Sequence, residues 1–285
     1  MRLVQISDTH LSRWDGTLRR NFHILVDFIN SVLRPDLVVH TGDVILSNPD
    51  SHDDYAAAKE LHRLISAPVR FIPGNHDVGE AYDRTWWATT ADRLARFQDF
   101  FGATPWLEWF GDIALVGLNS QVLGSGLPAE EEQWHWLEGI ASSIEGHNIV
   151  LFQHMSFWTP YSGSDGRPGC IKDIDRERIL RSAGAARVLG VANGHVHRYR
   201  KTWRGESFEL WAPSIAFLVD RAESVRIPAG LEQLGAVLYE AERKHLKITF
   251  QTTPGLDEVE VGEFEESLLI RKELQQAPSS FKAVV

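Results

Sequence analysis

The amino-acid sequence predicts an α/β fold, and three observations carry that prediction. Short apolar, β-branched runs alternate with longer amphipathic stretches through the first two thirds of the chain. The runs are too short for helices and read as strands buried on both faces, with the amphipathic stretches laid over them. The last third keeps the short runs and loses the helices between them.

In order, the first strand is expected over residues 3–7 and a helix over 18–33. A strand at 37–41, a helix at 53–65, a strand at 69–72 and a helix at 91–100 follow. The next strand, 113–118, leads to a helix at 129–144 with strong start signals. Pro128 suits the first turn, and Glu130, Glu131 and Glu132 complement the positive end of the helix dipole. A strand at 149–153, a helix at 175–182 and a strand at 187–192 complete the alternating part. Runs at 208–211, 215–219, 236–239 and 246–251 are expected to be strands in a partly antiparallel arrangement. Beyond Thr253 the chain turns acidic and less patterned. The expected organisation is therefore one domain, 1–252, with a peripheral C-terminal tail, 253–285, packed on the body or on another subunit.

Composition narrows the partners. Of 285 residues, 39 are acidic and 29 are Lys or Arg, a formal net charge of −10. No basic stripe is available to neutralise a run of phosphates, so long nucleic acid is an unsuitable partner. A small anion remains suitable, because bound cations can invert the local potential of an acidic protein. The single cysteine, Cys170, excludes an intrachain disulfide. No apolar run approaches the ~20 residues that span a bilayer. The first residues turn polar too soon for a signal-peptide core, so no membrane partner and a cytoplasmic location are expected.

The chemistry is positional. Asp8 and His10 follow the first expected strand; Gly42-Asp43 follows the second; Gly74-Asn75-His76-Asp77 follows the third. His154 follows the 149–153 strand, and Gly194-His195-Val196-His197 follows the next. Ligand sites in open α/β sheets lie at the carboxyl ends of strands. Mixed imidazole, carboxylate and amide donors suit Mn, Fe, Zn or Co rather than thiolate-selected metals. Seven donors, Asp8, His10, Asp43, Asn75, His154, His195 and His197, exceed one tetrahedral ion and suit two divalent ions with a carboxylate between them.

These five ordered blocks resemble the calcineurin-like metallophosphoesterase superfamily, and within it the bacterial class III cyclic-nucleotide and glycerophosphodiester phosphodiesterases. The opening Val4-Gln5-Ile6-Ser7-Asp8-Thr9-His10-Leu11 and the segment Glu132-Gln133-Trp134-His135-Trp136-Leu137 carry the subgroup resemblance, which covers roughly residues 1–250. It implies a four-layer α/β/β/α sandwich of two mixed β-sheets flanked by helices. It also implies that Asp8, His10 and His197 bind one metal and Asn75, His154 and His195 the other, with Asp43 bridging. The implied reaction is hydrolysis of a small phosphodiester by direct attack of a metal-bound hydroxide. His76 would then be a catalytic group for charge stabilisation or leaving-group protonation, and Asp77 would orient it. A possible homodimer is implied by the subgroup alone.

Two other readings share the scaffold. A phosphomonoesterase or pyrophosphatase would use the same ligands. Protein serine/threonine phosphatases usually place Asp-Arg-Gly after the bridging aspartate and Glu after Asn-His, whereas this chain has Val44-Ile45-Leu46 and Asp77. A non-catalytic scaffold would be expected to lose ligands, and none is missing. Where relatives continue after His154 with a second histidine and prolines, this chain has Met155-Ser156-Phe157, so the loop through Cys170 is expected to shape substrate choice. His40 is expected to be a hydrogen-bonded core residue, His52 a helix cap, and Cys170 a small buried residue. Trp86, Trp87, Trp106 and Trp109 are expected to pack in the core rather than form a substrate wall. Arg198 and Arg200 could equally meet a phosphate or sit in a solvated loop.

Overall fold

The computed structural model describes residues 1–83, 87–160, 169–219, 226–242 and 245–267. Strands β1 (Arg2–Ile6), β2 (Leu37–His40), β3 (Val69–Phe71), β10 (Gly235–Glu242) and β11 (His245–Thr252) form one sheet, in the order β11-β10-β1-β2-β3. Strands β4 (Trp106–Phe110), β5 (Ile113–Gly117), β6 (Asn148–Phe152), β7 (Arg187–Asn193), β8 (Arg200–Arg204) and β9 (Ser207–Trp211) form the second, in the order β4-β5-β6-β7-β9-β8. Both sheets are mixed: β1, β2 and β3 run parallel, as do β5, β6, β7 and β9, while the outer pairs are antiparallel.

Strand alternation assembles the layers. In β1, Leu3 faces the second sheet while Val4 and Ile6 face helices; in β5, Ile113 and Leu115 point inward while Ala114 and Val116 point out. The inward set meets between the sheets with Val39, Val150, Phe152, Leu210, Val237 and Tyr239. The outer face of the first sheet is covered by α1 (Thr17–Phe28), α2 (His52–His62) and α4 (Ala91–Phe101); that of the second by α5 (Pro128–Ile144) and α6 (Asp173–Ser182). The expected α/β/β/α sandwich is the observed one. One polar stitch crosses the inner layer: Gln5 donates to the Thr41 hydroxyl at 3.0 Å and to the Asn193 carbonyl at 3.2 Å, and accepts from Tyr239 at 2.6 Å. A buried amide with both ends satisfied fixes how the sheets register.

The structure departs from expectation in four places. The helix expected over 18–33 is α-helical only to Phe28; residues Ile29–Leu33 widen into a π turn that Arg34 ends at φ +44°, directly before Pro35. The expected strand at 215–219 is absent; only Leu218 makes an isolated bridge, to Glu260. Strands β4 and β8 are additional to the expected set: β8 is Arg-Lys-Thr-Trp-Arg, a charged edge strand without apolar alternation. The short helix α3 (Asn75–Val78) is additional too. Residues 257–267 of the expected tail pack on the body, one of the two placements expected for it. Asp257 and Asn21 bond reciprocally, and the Glu266 carboxylate accepts from the Leu18 N–H at 2.9 Å. Residues 268–285 lie outside the described residues. Among the described residues, no helix is long and apolar enough to cross a membrane.

Candidate metal centre

The site lies where β1, β2, β3, β6 and β7 end. Its backbone is held in an unusual state. Six described non-glycine residues have φ in the left-handed region, and five carry site side chains: Asp8 (+52°), His10 (+44°), Asp43 (+54°), His195 (+69°) and His197 (+54°). Each costs on the order of 1 kcal/mol or more, and such conformations persist where surrounding structure over-determines them. Strand ends bent this way turn side chains into the cleft. Two glycines make room: a Cβ at Gly74 would stand 2.2 Å from Asp43 Oδ1, and one at Gly194 2.0 Å from Ser7 Oγ.

The side chains converge in two groups that share one member. Asp8, His10, Asp43 and His197 can present donor atoms within 4.8 Å of one another, and so can Asp43, His154 and His195. Asn75 joins the second group, its Oδ1 3.1 Å from His154 Nε2. Asp8, His10 and His154 are at most 1% exposed, and Asp43 2%.

The imidazoles are oriented by backbone carbonyls. His154 Nδ1 lies 2.8 Å from the Thr41 oxygen, and His197 Nδ1 2.9 Å from that of Phe217. A carbonyl can only accept, so these Nδ1 atoms carry protons and the Nε2 atoms are the ring nitrogens that face the centre. His10 follows the same pattern more loosely, with Nδ1 3.4 Å from the Leu46 oxygen. The Nε2 atoms of His10 and His197 then stand 3.1 Å apart. Two ring nitrogens this close share a proton when His197, held up by Asp8, is charged, and once both are deprotonated their lone pairs suit a cation.

Electrostatics point the same way. Asp8 and Asp43 are buried carboxylates whose ion-pair partners are histidines: His197 Nε2 is 3.3 Å from Asp8, and His154 Nε2 3.3 Å from Asp43. Burial alone would push Asp8 up, but His197 beside it holds the carboxyl down at about 2. Burial would lower His154, yet Asp43 and Asp8 hold it up to about 9. Without metal, the imidazolium charge of this histidine offsets that of the carboxylates. His10 and His195 go the other way, to about 3 and about 4, pushed first by burial and then by the neighbouring His76 and His154. A buried set this rich in ionised oxygen needs compensating positive charge, which the imidazolium groups supply without metal and which bound cations would supply in their place.

The two residues expected to be catalytic part company. His76 is half-buried, its ring edge-on to His10 at 4.7 Å and to Trp87 at 5.5 Å. Its backbone N–H donates to Asp43 Oδ1 at 2.9 Å and its Nδ1 lies 2.5 Å from the Leu46 oxygen. Asp77 does not orient it. Its carboxylate accepts from the backbone N–H groups of Val44 (2.9 Å), Ile45 (3.0 Å) and Gly74 (2.8 Å). Neighbours i and i+1 on a helix do not face each other, so adjacency in α3 separates the two side chains. Burial and the Asp43 charge push Asp77 up to about 8, against the pull of the Gly74 and Ile45 N–H groups.

Around this centre, His40 is a buried core residue that accepts from the Gly42 N–H and donates to the Thr9 hydroxyl at 2.9 Å. Ser51, not His52, caps α2, accepting from the Asp54 N–H. Cys170 is half-buried, beside Ser156. Trp87 and Trp106 are buried and Trp109 is 42% exposed, whereas Trp86 lies outside the described residues. Arg198 is buried against the Ile227 and Pro228 carbonyls and Glu232, and Arg200 lies over the Trp211 ring. Residues 161–168 of the loop after His154 lie outside the described residues. Its start is held by Glu209, a buried carboxylate accepting from the N–H groups of Phe157, Trp158 and Thr159 and from the Ser156 hydroxyl. Nothing in the sequence marks Glu209 for this task, because it sits inside a strand 50 residues away.

Comparison with known proteins places the chain. The calcineurin-like phosphoesterase family matches residues 1–199. The chain belongs to this family. As a calcineurin-like phosphoesterase it is an enzyme of phosphoric ester hydrolysis whose Asp and His residues are positioned for divalent metal. It is 29% identical over 225 residues, 75% of this chain and 78% of the relative, to a protein of Arcobacter nitrofigilis named probable glycerophosphodiester phosphodiesterase GpdQ. It is 37% identical over 162 residues, 53% of this chain and 54% of the relative, to the 3',5'-cyclic adenosine monophosphate phosphodiesterase CpdA of Pseudomonas aeruginosa. It is 26% identical over 176 residues, 58% of this chain and 54% of the relative, to the mouse (Mus musculus) serine/threonine-protein phosphatase CPPED1.

Proposed function

We propose that this phosphoesterase hydrolyses a small phosphodiester, of the cyclic-nucleotide or glycerophosphodiester type, at a centre of two divalent ions. The carrying observation is that Asp43 belongs to both donor groups. Asp8, His10 and His197 would hold one ion and Asn75, His154 and His195 the other, with Asp43 on both. The nitrogen and oxygen donors, without thiolate, suit Mn, Fe, Zn or Co. Such ions, when bound, act as Lewis acids on phosphoryl oxygens and lower the pKa of water.

The chain's own residues supply the rest. The Thr41 and Phe217 carbonyls hold His154 and His197 in the tautomer that leaves Nε2 free to ligate. His76 commits Nδ1 to Leu46, so Nε2 is the nitrogen that would meet the ester, stabilising developing charge or protonating the leaving oxygen. Such groups contribute ~10²–10⁴-fold. Buried Trp87 beside His76 closes that side to water.

The diester preference is supported by relatives named as GpdQ and CpdA; the relative named CPPED1 makes a phosphomonoester the competing substrate. Metal-stripped protein with and without added Mn²⁺, offered bis(p-nitrophenyl) phosphate or p-nitrophenyl phosphate, separates them. Metal-restored cleavage of the diester, weak on the monoester, is expected. Preference for the monoester would make the protein a phosphatase, and inactivity on both with metal bound would overturn the reading.

Metal loading carries a pH signature. His154 must lose its proton to ligate, and without metal it keeps that proton up to about pH 9. Mn²⁺ affinity measured by calorimetry should therefore rise between pH 6.5 and 8.5, by up to about tenfold per unit, with proton release. An affinity independent of pH would remove His154 from the ligand set.

A further inference from the structure

Behind the His10 and His197 rings lies Phe217, its ring centroid 4.7 Å from each. Its carbonyl is the acceptor that orients His197. One aromatic residue therefore braces this imidazole pair with its ring and aims one of them with its backbone. The turn that carries it is tied to the site: the Ser214 hydroxyl donates to the Asp8 carbonyl at 2.9 Å and accepts from the N–H groups of Ala216 and Phe217.

Phe217 is braced in turn from near the end of the described chain. The Phe264 ring stacks on it at 5.0 Å with a 16° interplanar angle, and both are buried with Leu18, Leu46 and Ala216. Three latches hold Phe264 there. Leu218 donates to the Val259 carbonyl at 2.8 Å and accepts from the Val261 N–H at 2.9 Å. Asn21, wholly buried, accepts from the Asp257 N–H at 2.8 Å and donates to its carbonyl at 3.0 Å. The third latch is a helix cap. Gly16, at the N-cap of α1, has no side chain to cap with, and the Glu266 carboxylate takes that place on the Leu18 N–H. Its fit is close, since a Cβ on Gly16 would stand 2.3 Å from Glu266 Cδ. A buried carboxylate at a helix N-terminus is favoured by the orphan N–H groups and the dipole together.

We propose that residues 257–267 are a positioning element of the metal centre, with Phe264 the positioning residue that acts through Phe217 on the His10/His197 pair. Neither His154 nor His195 has a described ring contact with Phe217 or Phe264, and His154 takes its orientation from Thr41 instead. The segment therefore tunes one half of the site and leaves the other alone. Removing the Phe264 ring frees Phe217 to tilt, which loosens both the ring contact with His10 and the carbonyl that aims His197.

The inference rests on the metal-centre reading, and the experiment keeps the two apart. Metal-free full-length protein is titrated with Mn²⁺ by calorimetry as wild type, Phe264→Ala, Phe264→Leu, His197→Ala and Leu137→Ala. His197→Ala identifies the step that belongs to its half of the site; Leu137, on the buried face of α5 over the other sheet, is the control for general core damage. Phe264→Ala is expected to weaken the step that His197→Ala removes by about 10-fold or more, the size of effect typical for outer-shell partners. The other step should stay within about twofold, with recovery in Phe264→Leu. Equal weakening of both steps, no weakening, or the same pattern in Leu137→Ala would overturn the proposal. A single binding step in the wild type would instead refute the two-ion reading. Phe264 would then be judged by whether that step falls in Phe264→Ala and not in Leu137→Ala.

Discussion

Asp43→Asn is expected to lower kcat/KM for a diester by at least about 10³-fold, or about 4 kcal/mol of transition-state stabilisation. Asparagine is the informative replacement because it changes charge and little else. It tolerates the +54° φ that an alanine would resist, and its oxygen can still accept from the His76 N–H. What it cannot do is act as an anion toward both donor groups. The loss should appear in kcat/KM measured at saturating Mn²⁺, and added metal should not restore it. The folded state should survive, because the change also removes a buried negative charge that raises Asp77. A variant within tenfold of wild type would show that the two groups do not depend on Asp43.

Asp77→Ala has the largest expected effect on stability. Three buried backbone N–H groups, on Val44, Ile45 and Gly74, lose their acceptor at once. Each orphaned donor costs ~1–3 kcal/mol, so the variant should lose at least about 3 kcal/mol of a stability that is typically ~5–15. Asp77→Asn should lose less, since its oxygen can still serve the Val44 and Ile45 pair while its NH₂ confronts the Gly74 donor. Urea midpoints measure both. A fully stable Asp77→Ala with reduced kcat would return Asp77 to the role of orienting His76. The loss should also reach the site indirectly, because residues 43–46 carry both Asp43 and the carbonyl beneath His76.

Much of this is legible in the sequence because the relevant signals are local. Strand runs such as 113–118 and 149–153 stand out by β-branched apolar composition, and helices such as α5 by Pro128 and its acidic first turn. The donor residues are legible because a carboxylate or imidazole set directly after a buried strand points to a ligand site, and five strand ends repeat the pattern. Elements without a local signal stay hidden. Strand β8 is charged, and an edge strand needs no apolar alternation. The 215–219 run is apolar and still not a strand, because its backbone is committed to Asp8, His197 and residues 259–261.

Asp77 and Phe264 show the limit from both sides. Adjacent letters suggest that Asp77 touches His76, yet a helix turns neighbours about 100° apart. Distant letters leave open whether residues beyond 253 pack on the body, and nothing in them marks Glu266 as the cap of α1 across 248 positions.

What the sequence by itself determined is the class of fold, the order of its layers' elements and the carboxylate and imidazole positions that the strand ends bring together. Those follow from side-chain type and spacing, which sequence records directly. Which donors share a group, which carbonyl aims each imidazole and which strand ends adopt left-handed backbone were decided only in the folded chain. Every residue has a carbonyl and every residue has a φ, so Thr41, Leu46 and Phe217 carry no mark of their task until long-range packing brings them to a histidine.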